Sequence, residues 1–338
     1  MIQNQKNIDT LTPEQLQTDE RYMRRCLQLA RNGRQNAKPN PMVGAVIVSD
    51  EGKIIGEGYH VRCGEGHAEV NAFASVEPED EPKLHQSTLY VSLEPCSHWG
   101  KTPPCADLIV RKGVRRVVCG CIDPFAEVQG RGVKRIREAG IAVTVGVLER
   151  ECLELNRRFV TFNTCHRPYI ILKWAQSVNG MMAALSNGQP APVAFSTPYT
   201  AMLMHKLRAE IDAIVVGRTT LDTDHPQLTV RHWSGPDPLP ILLSHRSEDV
   251  PGRFQRFDDI DTMLASLYGQ KLQSLMVEGG AHTLQQFIGR GLYDEIRVET
   301  APLTIANGIA APRLPADIHL TAQEEYDGNT IQWYEHHD

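Results

Sequence analysis

Apolar and polar positions along the chain change period repeatedly, and each change predicts an element. Thr12-Pro13-Glu14-Gln15 offers a capping hydroxyl, a proline suited to a first helical turn and a glutamine able to reach back to the cap. From Asp19 to Asn32, Tyr22, Cys26 and Leu29 recur on one helical face, and Gly33 stops the run. Val43 to Ser49 is apolar and β-branched, Asp50-Glu51-Gly52 turns the chain, and Ile54 to Tyr59 predicts a second strand. Helical spacing returns from Ala68 to Ser75, in Ala106 to Arg111 and in Val133 to Ala139. Strands are expected over Leu89 to Leu93, Arg116 to Gly120 and Ile141 to Val147. Such alternation predicts a layered α/β domain over residues 1–150.

A helical stretch and the breaker His166-Arg167-Pro168 predict a linker over 151–167. A second α/β domain is expected over 168–338. Its strands are Tyr169 to Trp174, Ala213 to Gly217, Leu239 to Ser244, Ser274 to Glu278 and Glu295 to Thr300, with helices at Tyr199 to Arg208 and Thr283 to Ile288. No internal repeat or low-complexity segment interrupts either half.

Length agrees, since 338 residues suit about two cores. No apolar run approaches the ~18 residues of a membrane span, and the first residues lack the basic start and apolar stretch of a signal peptide. The cytosol is therefore the expected compartment, and the eight cysteines are read as ligands or packed thiols rather than disulfides. A formal charge of -6 speaks against nucleic-acid partners while leaving room for a local pocket that takes a small phosphorylated substrate. A homo-oligomer remains open.

Chemistry concentrates in His67-Ala68-Glu69, Pro95-Cys96 and Cys105. One imidazole and two thiolates hold zinc with a fourth tetrahedral position free, where the metal lowers the pKa of water toward ~7. Deamination of a heterocyclic base also needs a carboxylate that is not a ligand to carry the proton, and Glu69 at the start of a helix suits that role. Cys105, after Pro103-Pro104, would open a helix whose dipole favours thiolate. The alternative is a closed structural zinc site completed by Cys63 or His98. Cys119 and Cys121 read as packed thiols, and Cys26, Cys152 and Cys165 as core or bystander residues. Eight residues separate Cys96 from Cys105, where the general deaminase signature has two; this longer loop carries Lys101.

The run from Ser92 to Cys105, with Pro39-Asn40-Pro41-Met42-Val43-Gly44, Gly58-Tyr59-His60, Asp123-Pro124 and Gly130-Arg131-Gly132, resembles the bifunctional deaminase/reductase family of riboflavin biosynthesis. Lys173, Gly217, Asp224-His225-Pro226, Leu228-Thr229-Val230-Arg231 and Val277-Glu278-Gly279-Gly280 extend the resemblance to the second half. It implies a cytidine-deaminase-like three-layer domain followed by a dihydrofolate-reductase-like domain. It implies one zinc per chain on His67, Cys96 and Cys105, with Glu69 as proton shuttle. It implies deaminase substrate contacts at Asn40, His60, Lys101 and Asp123. NADPH contacts are implied at Ala175, Thr220, Asp224 and the run Gly280, Ala281, His282, Thr283, Leu284, Gln285 and Gln286. Reductase substrate contacts are implied at Lys173, Ser196, Arg208, Leu228, Arg231 and Glu278.

The implied chemistry is deamination of a diaminopyrimidinone bearing a phosphoribosylamino arm, then NADPH reduction of the ribose to a ribityl chain. No G-x-G-x-x-G follows a strand, so the usual dinucleotide fingerprint is absent. Three positions depart from the family's common pattern: Phe125 and Asn179 stand where it has asparagine and aspartate, and Ala194 where it has tryptophan. The alternatives are a deaminase with a non-catalytic reductase-like domain, and a zinc-stabilised binding protein without catalysis.

Overall fold

The computed structural model describes residues 8, 11–99, 103–124 and 129–336, and the chain divides into two compact units, 1–165 and 166–338.

In the first unit, α1 (Pro13–Ala30) is one continuous helix. The sequence predicts a short turn and then a separate helix, but nothing between Gln17 and Glu20 breaks the hydrogen-bond ladder. Thr12 and Gln15 form the expected reciprocal cap: Gln15 N donates to Thr12 Oγ1 at 3.3 Å, and Thr12 N to Gln15 Oε1 at 3.0 Å. Five strands follow: β1 (Gly44–Val48), β2 (Ile54–Tyr59), β3 (Thr88–Leu93), β4 (Arg116–Cys121) and β5 (Ala142–Val145). They order β2-β1-β3-β4-β5, with β1 antiparallel to both neighbours and β3, β4 and β5 parallel.

Helices α2 (Ala68–Ala74), α3 (Cys105–Lys112) and α4 (Arg131–Glu138) cover one face, burying Phe73, Ile109 and Ile136 against Ile47, Val91 and Val117. The opposite face, with Val46, Tyr90 and Val118, packs on Met23 and Leu27 of α1 and on Cys152 of α5 (Glu149–Leu155). Three layers result because strand side chains alternate and both faces of the sheet are apolar. The stretch expected as a linker carries its helical pattern as two helices, α5 followed by α6 (Arg157–Cys165), both within the first unit. Asn156 between them is buried and exchanges two 2.8 Å hydrogen bonds with the main chain of Met42, which ties this segment to the start of the sheet.

The second unit carries β6 (Tyr169–Ser177), the hairpin β7 (Met181–Ser186) and β8 (Gln189–Ala191), α7 (Pro198–Glu210), β9 (Ala213–Gly217) and α8 (Arg218–Asp224). Then come β10 (Leu239–Leu243), β11 (Gln255–Phe257), α9 (Ile260–Gly269), β12 (Ser274–Val277), α10 (Ala281–Gly289), β13 (Glu295–Ala301), β14 (Gly308–Ala310), β15 (Ile318–Tyr326) and β16 (Asn329–His336). The main sheet runs β11-β10-β9-β12-β6-β13-β16-β15, parallel as far as β13 and antiparallel beyond it. Residues of α9 and α10 pack with Leu172, Val215 and Val277 on one face; Met204 and Leu221 of α7 and α8 pack with Ile171, Ile214 and Met276 on the other. Among the described residues, no helix is long and apolar enough to cross a membrane.

Candidate active sites

His67 caps α2 in extended conformation, and Glu69 lies in that helix's first turn, 3% exposed. Cys96 follows the end of β3, and Cys105 opens α3 after Pro104. The fold thus brings two helix starts and a strand end together. His67 Nδ1 stands 3.5 Å from Cys96 Sγ and 3.4 Å from Cys105 Sγ. Two ligands of a tetrahedral zinc, at ordinary Zn–N and Zn–S lengths, would lie about 3.5 Å apart. The donor set therefore fits zinc. Among the described residues this is the only such cluster; Cys63 and His98, which would close a structural site, are exposed and outside it. A tetrahedral zinc on these three would keep one coordination position free.

Cys105 N also donates to Cys96 Sγ at 3.3 Å. The hydrogen bond from the Cys105 thiol holds Cys96 well below the usual thiol range, and the same contact raises Cys105. Two thiols sharing a proton release the first readily and the second only when a cation arrives. Burial pushes Glu69 up to about 7, helped by the charge of Cys96.

His60 is 2% exposed and meets His67 edge-on, ring centres 5.4 Å apart. Its Nδ1 lies 3.1 Å from Gly66 O and its Nε2 3.1 Å from Asn40 Nδ2. Only a neutral ring protonated on Nδ1 satisfies both, donating to the carbonyl and accepting from the amide. Burial lowers His60 in keeping with that state. Asn40 and His60 are thus joined beside the ligand set. Asp123 lies two residues beyond β4, 8% exposed. Lys101 and Phe125 lie outside the described residues.

The second unit holds a cleft of 1120 Å³ lined by Lys173, Ala175, Thr220, Asp224, Glu278, Gly280, Ala281, His282, Thr283 and Gln286 among others. Gly279 is at φ +120, a backbone conformation that glycine alone adopts freely, and the Gly279–Gly280 peptide is cis. Five of the seven residues from Gly280 to Gln286 line the cleft, because a helix turns about 100° per residue and cannot show a continuous run to one side. Leu284 is fully buried in the apolar core. Gln285 Oε1 instead accepts from Arg313 N at 3.2 Å, and neither residue lines the cleft.

Of the expected reductase substrate contacts, Lys173 and Glu278 line the cleft and the others do not. Arg208 grips Glu278 with two hydrogen bonds, at 3.2 and 2.8 Å. Ser196 Oγ donates to Glu299 Oε2 at 3.1 Å, and Leu228 is 1% exposed. The Arg231 guanidinium, exposed, donates to Gln227 and Thr229 at 3.0 Å each. Burial lowers Lys173. Burial alone would raise Glu278, yet the charges of Arg208 and Lys173 hold it below the usual carboxylate range.

Arg297 and Glu299, 2% and 0% exposed, share this sheet face; Arg297 pairs in register with Lys173. Their alternation in Glu295-Ile296-Arg297-Val298-Glu299 reads as a solvated strand face, so composition gave no signal for them. Asn179, a departure from the family pattern, accepts from Ile305 N at 3.1 Å and donates to Ile305 O at 2.8 Å. A carboxylate could not make the second bond. Phe195, next to Ala194, supplies an aromatic wall to the cleft.

His205 Nδ1 accepts from Arg231 N at 2.8 Å, so this ring must be unprotonated there. Burial first, then the charges of Arg208, His232 and Arg231 against the weaker pull of Glu278, push His205 down to about 4. An unfolded histidine titrates near ~6.5, so between those values the unfolded chain binds a proton that the folded one refuses. Stability from this group is complete above pH ~6.5 and lost as pH falls through about 4. With allowance for solvent screening, the loss is about 1 kcal/mol, or about 2–4 °C in Tm. His205→Asn should flatten the decline in Tm between pH 7 and 4.5; an unchanged slope would show that other groups cause it.

An α/β/α sheet with an open His-Cys-Cys site and a buried carboxylate defines a zinc-binding deaminase domain, here followed by a second α/β unit with its own cleft. Residues 16–121 match the cytidine and deoxycytidylate deaminase zinc-binding region, and residues 168–324 the RibD C-terminal domain. The riboflavin biosynthesis protein RibD of Aquifex aeolicus is 37% identical over 86% of this chain and 89% of that protein. That of Escherichia coli is 36% identical over 84% and 88%. A diaminohydroxyphosphoribosylaminopyrimidine deaminase/5-amino-6-(5-phosphoribosylamino)uracil reductase from Thermotoga maritima superposes with a TM-score of 0.86 at 31% identity, covering 95% of this chain and 99% of that one. The chain belongs to the RibD family of bifunctional riboflavin-biosynthesis enzymes, with a deaminase and a reductase domain.

Proposed function

We propose that the first unit deaminates 2,5-diamino-6-(5-phosphoribosylamino)pyrimidin-4-one and that the second reduces the ribose of the resulting 5-amino-6-(5-phosphoribosylamino)uracil with NADPH. The observation that supports it most is the open three-ligand cluster with Glu69 buried beside it. His67, Cys96 and Cys105 would hold one zinc, which when bound activates water toward the ring carbon bearing the amino group. Glu69 holds the proton at its carboxylate and delivers it to the departing nitrogen. A carboxyl group raised to about 7 can take and release a proton near neutral pH. His60, kept neutral, orients Asn40, whose amide oxygen would meet the pyrimidine, and Asp123 and Lys101 complete the contacts.

In the second cleft the Gly279-Gly280 turn and the start of α10 leave main-chain amides for the cofactor phosphates. NADPH supplies the hydride, and the protein's part is to orient it. Ala175, Thr220, Asp224, Ala281, His282, Thr283 and Gln286 line that space. Lys173 and Glu278 face the same cleft and would position the opened sugar. Arg208 orients Glu278. Arg231, exposed, remains available to the substrate phosphate through its other guanidinium nitrogens. The cytosol is the proposed compartment.

Mass spectrometry of the phosphoribosylamino-pyrimidine incubated with zinc-loaded protein tests both steps. Without NADPH one amino group should be replaced by oxygen, and with NADPH two hydrogens should then be added. Deamination without any NADPH-dependent product would reduce the second unit to a binding domain.

A further inference from the structure

Glu94 follows the last residue of β3 and is 4% exposed. Its carboxylate receives four main-chain N–H groups. Oε2 accepts from Asp123 at 3.2 Å and Gly130 at 2.8 Å, and Oε1 accepts from Gly132 at 2.9 Å and Val133 at 3.2 Å. An ionised carboxylate has about four acceptor sites, so these donors saturate it. Hydrogen bonds to a charged acceptor are the strong kind, and burial leaves no water to replace them.

Gly132 lies directly on the next residue of the same strand end. A Cβ there would fall 1.9 Å from Pro95 O, inside any allowed contact. Gly130 is at φ +74, the left-handed conformation in which glycine is unstrained. The Gly130-Arg131-Gly132 spacing is therefore a docking feature, which lets the start of α4 lie against Glu94-Pro95. Since Cys96 comes next in sequence, one strand end carries a zinc ligand and also grips the segment that bears Asp123.

We propose that Glu94 is a positioning residue of the deaminase: it holds Asp123 and the start of α4 in register with the ligand set, so that substrate meets a preformed contact. This rests on the deaminase reading of the first unit. Glutamine at this position would keep the size but turn an NH2 group toward two of the four N–H donors, leaving donors facing donors. The segment should loosen while His67, Cys96 and Cys105, none of which bonds to Glu94, keep their places.

Full-length zinc-loaded Glu94→Gln and Gly132→Ala test this, the second disturbing the same docking from the α4 side while leaving the carboxylate's chemistry unchanged. Amide hydrogen exchange over residues 123–133, zinc content, deamination kinetics and NADPH-dependent reduction are measured on each. Both variants should keep one zinc and full reduction, and exchange at Asp123, Gly130, Gly132 and Val133 should quicken at least tenfold. KM for the pyrimidine should rise roughly tenfold to a hundredfold, with kcat changing much less. Unchanged exchange with unchanged KM overturns the proposal, as does loss of zinc in both variants, which would make Glu94 a support of the metal site. Should the wild type deaminate no pyrimidine, the functional reading fails, and the exchange rates alone decide whether Glu94 holds this segment.

Discussion

Cys105→Ser is expected to remove zinc and deamination together while NADPH-dependent reduction by the same chain persists. Three ligands would hold the metal, and the two thiolates would be its softer, stronger donors. A serine hydroxyl stays protonated at neutral pH and is a poor zinc ligand. Cys105 also opens α3, where the helix dipole favours the anionic form that the metal needs. With zinc gone, water near its ordinary pKa replaces water shifted toward ~7, so deamination should fall by more than about 10⁴-fold. Cys96→Ser should behave alike. Metal analysis of purified variants checks this, and full zinc occupancy in both would rule out the ligand set. Stripping the wild type with a chelator should reproduce the defect, and added zinc should restore it.

Glu69→Gln separates chemistry from metal binding. The carboxyl is almost wholly buried, and burial holds it near neutrality in its proton affinity. Glutamine fills the same space and forms hydrogen bonds, but it cannot exchange a proton. Zinc should remain at one per chain, since Glu69 is no ligand. Deamination should drop by about 10²–10⁴-fold, the usual weight of a lost general acid/base. The comparison of kcat with metal content on one sample reads both. Near-normal turnover would assign proton transfer to another group.

Much of this was legible in the primary structure for local reasons. His67 and Glu69 lie two residues apart where a helical period begins, and Cys105 follows a proline pair, so local sequence alone puts them at helix starts. The strands of the first unit follow from apolar runs bounded by turns. The hairpin joining β15 and β16 has an Asp327-Gly328 turn with φ 51 and 84, a signal that turn chemistry supplies without any tertiary contact. Its flanks are harder to read because most of β15 is exposed, so polar residues blur the alternation.

Other features depend on partners far apart in the chain. Arg208 and Glu278 are 70 residues apart and each reads as a separate substrate contact, yet they hold each other. Arg297 and Glu299 look like a solvated face until β13 is seated beside β6 under α7, which buries both. Leu284 sits in a run of cleft residues but turns into the core, because only the docked helix decides which side faces the space.

Residue types and short spacings by themselves pointed to the metal ligands and the proton carrier and determined the layered α/β character of both halves. Ligand softness and a place at a helix start belong to single residues and their neighbours in sequence, whereas the raised proton affinity of Glu69 comes from its burial. Tertiary structure alone decided which charges are paired, which face of α10 meets the cleft and that Glu94 ties Asp123 to the strand end before Cys96. A buried carboxylate satisfied by main-chain amides has partners without side-chain identity. No pattern of residue types records that pairing, and it exists only once the strands and α4 are folded together.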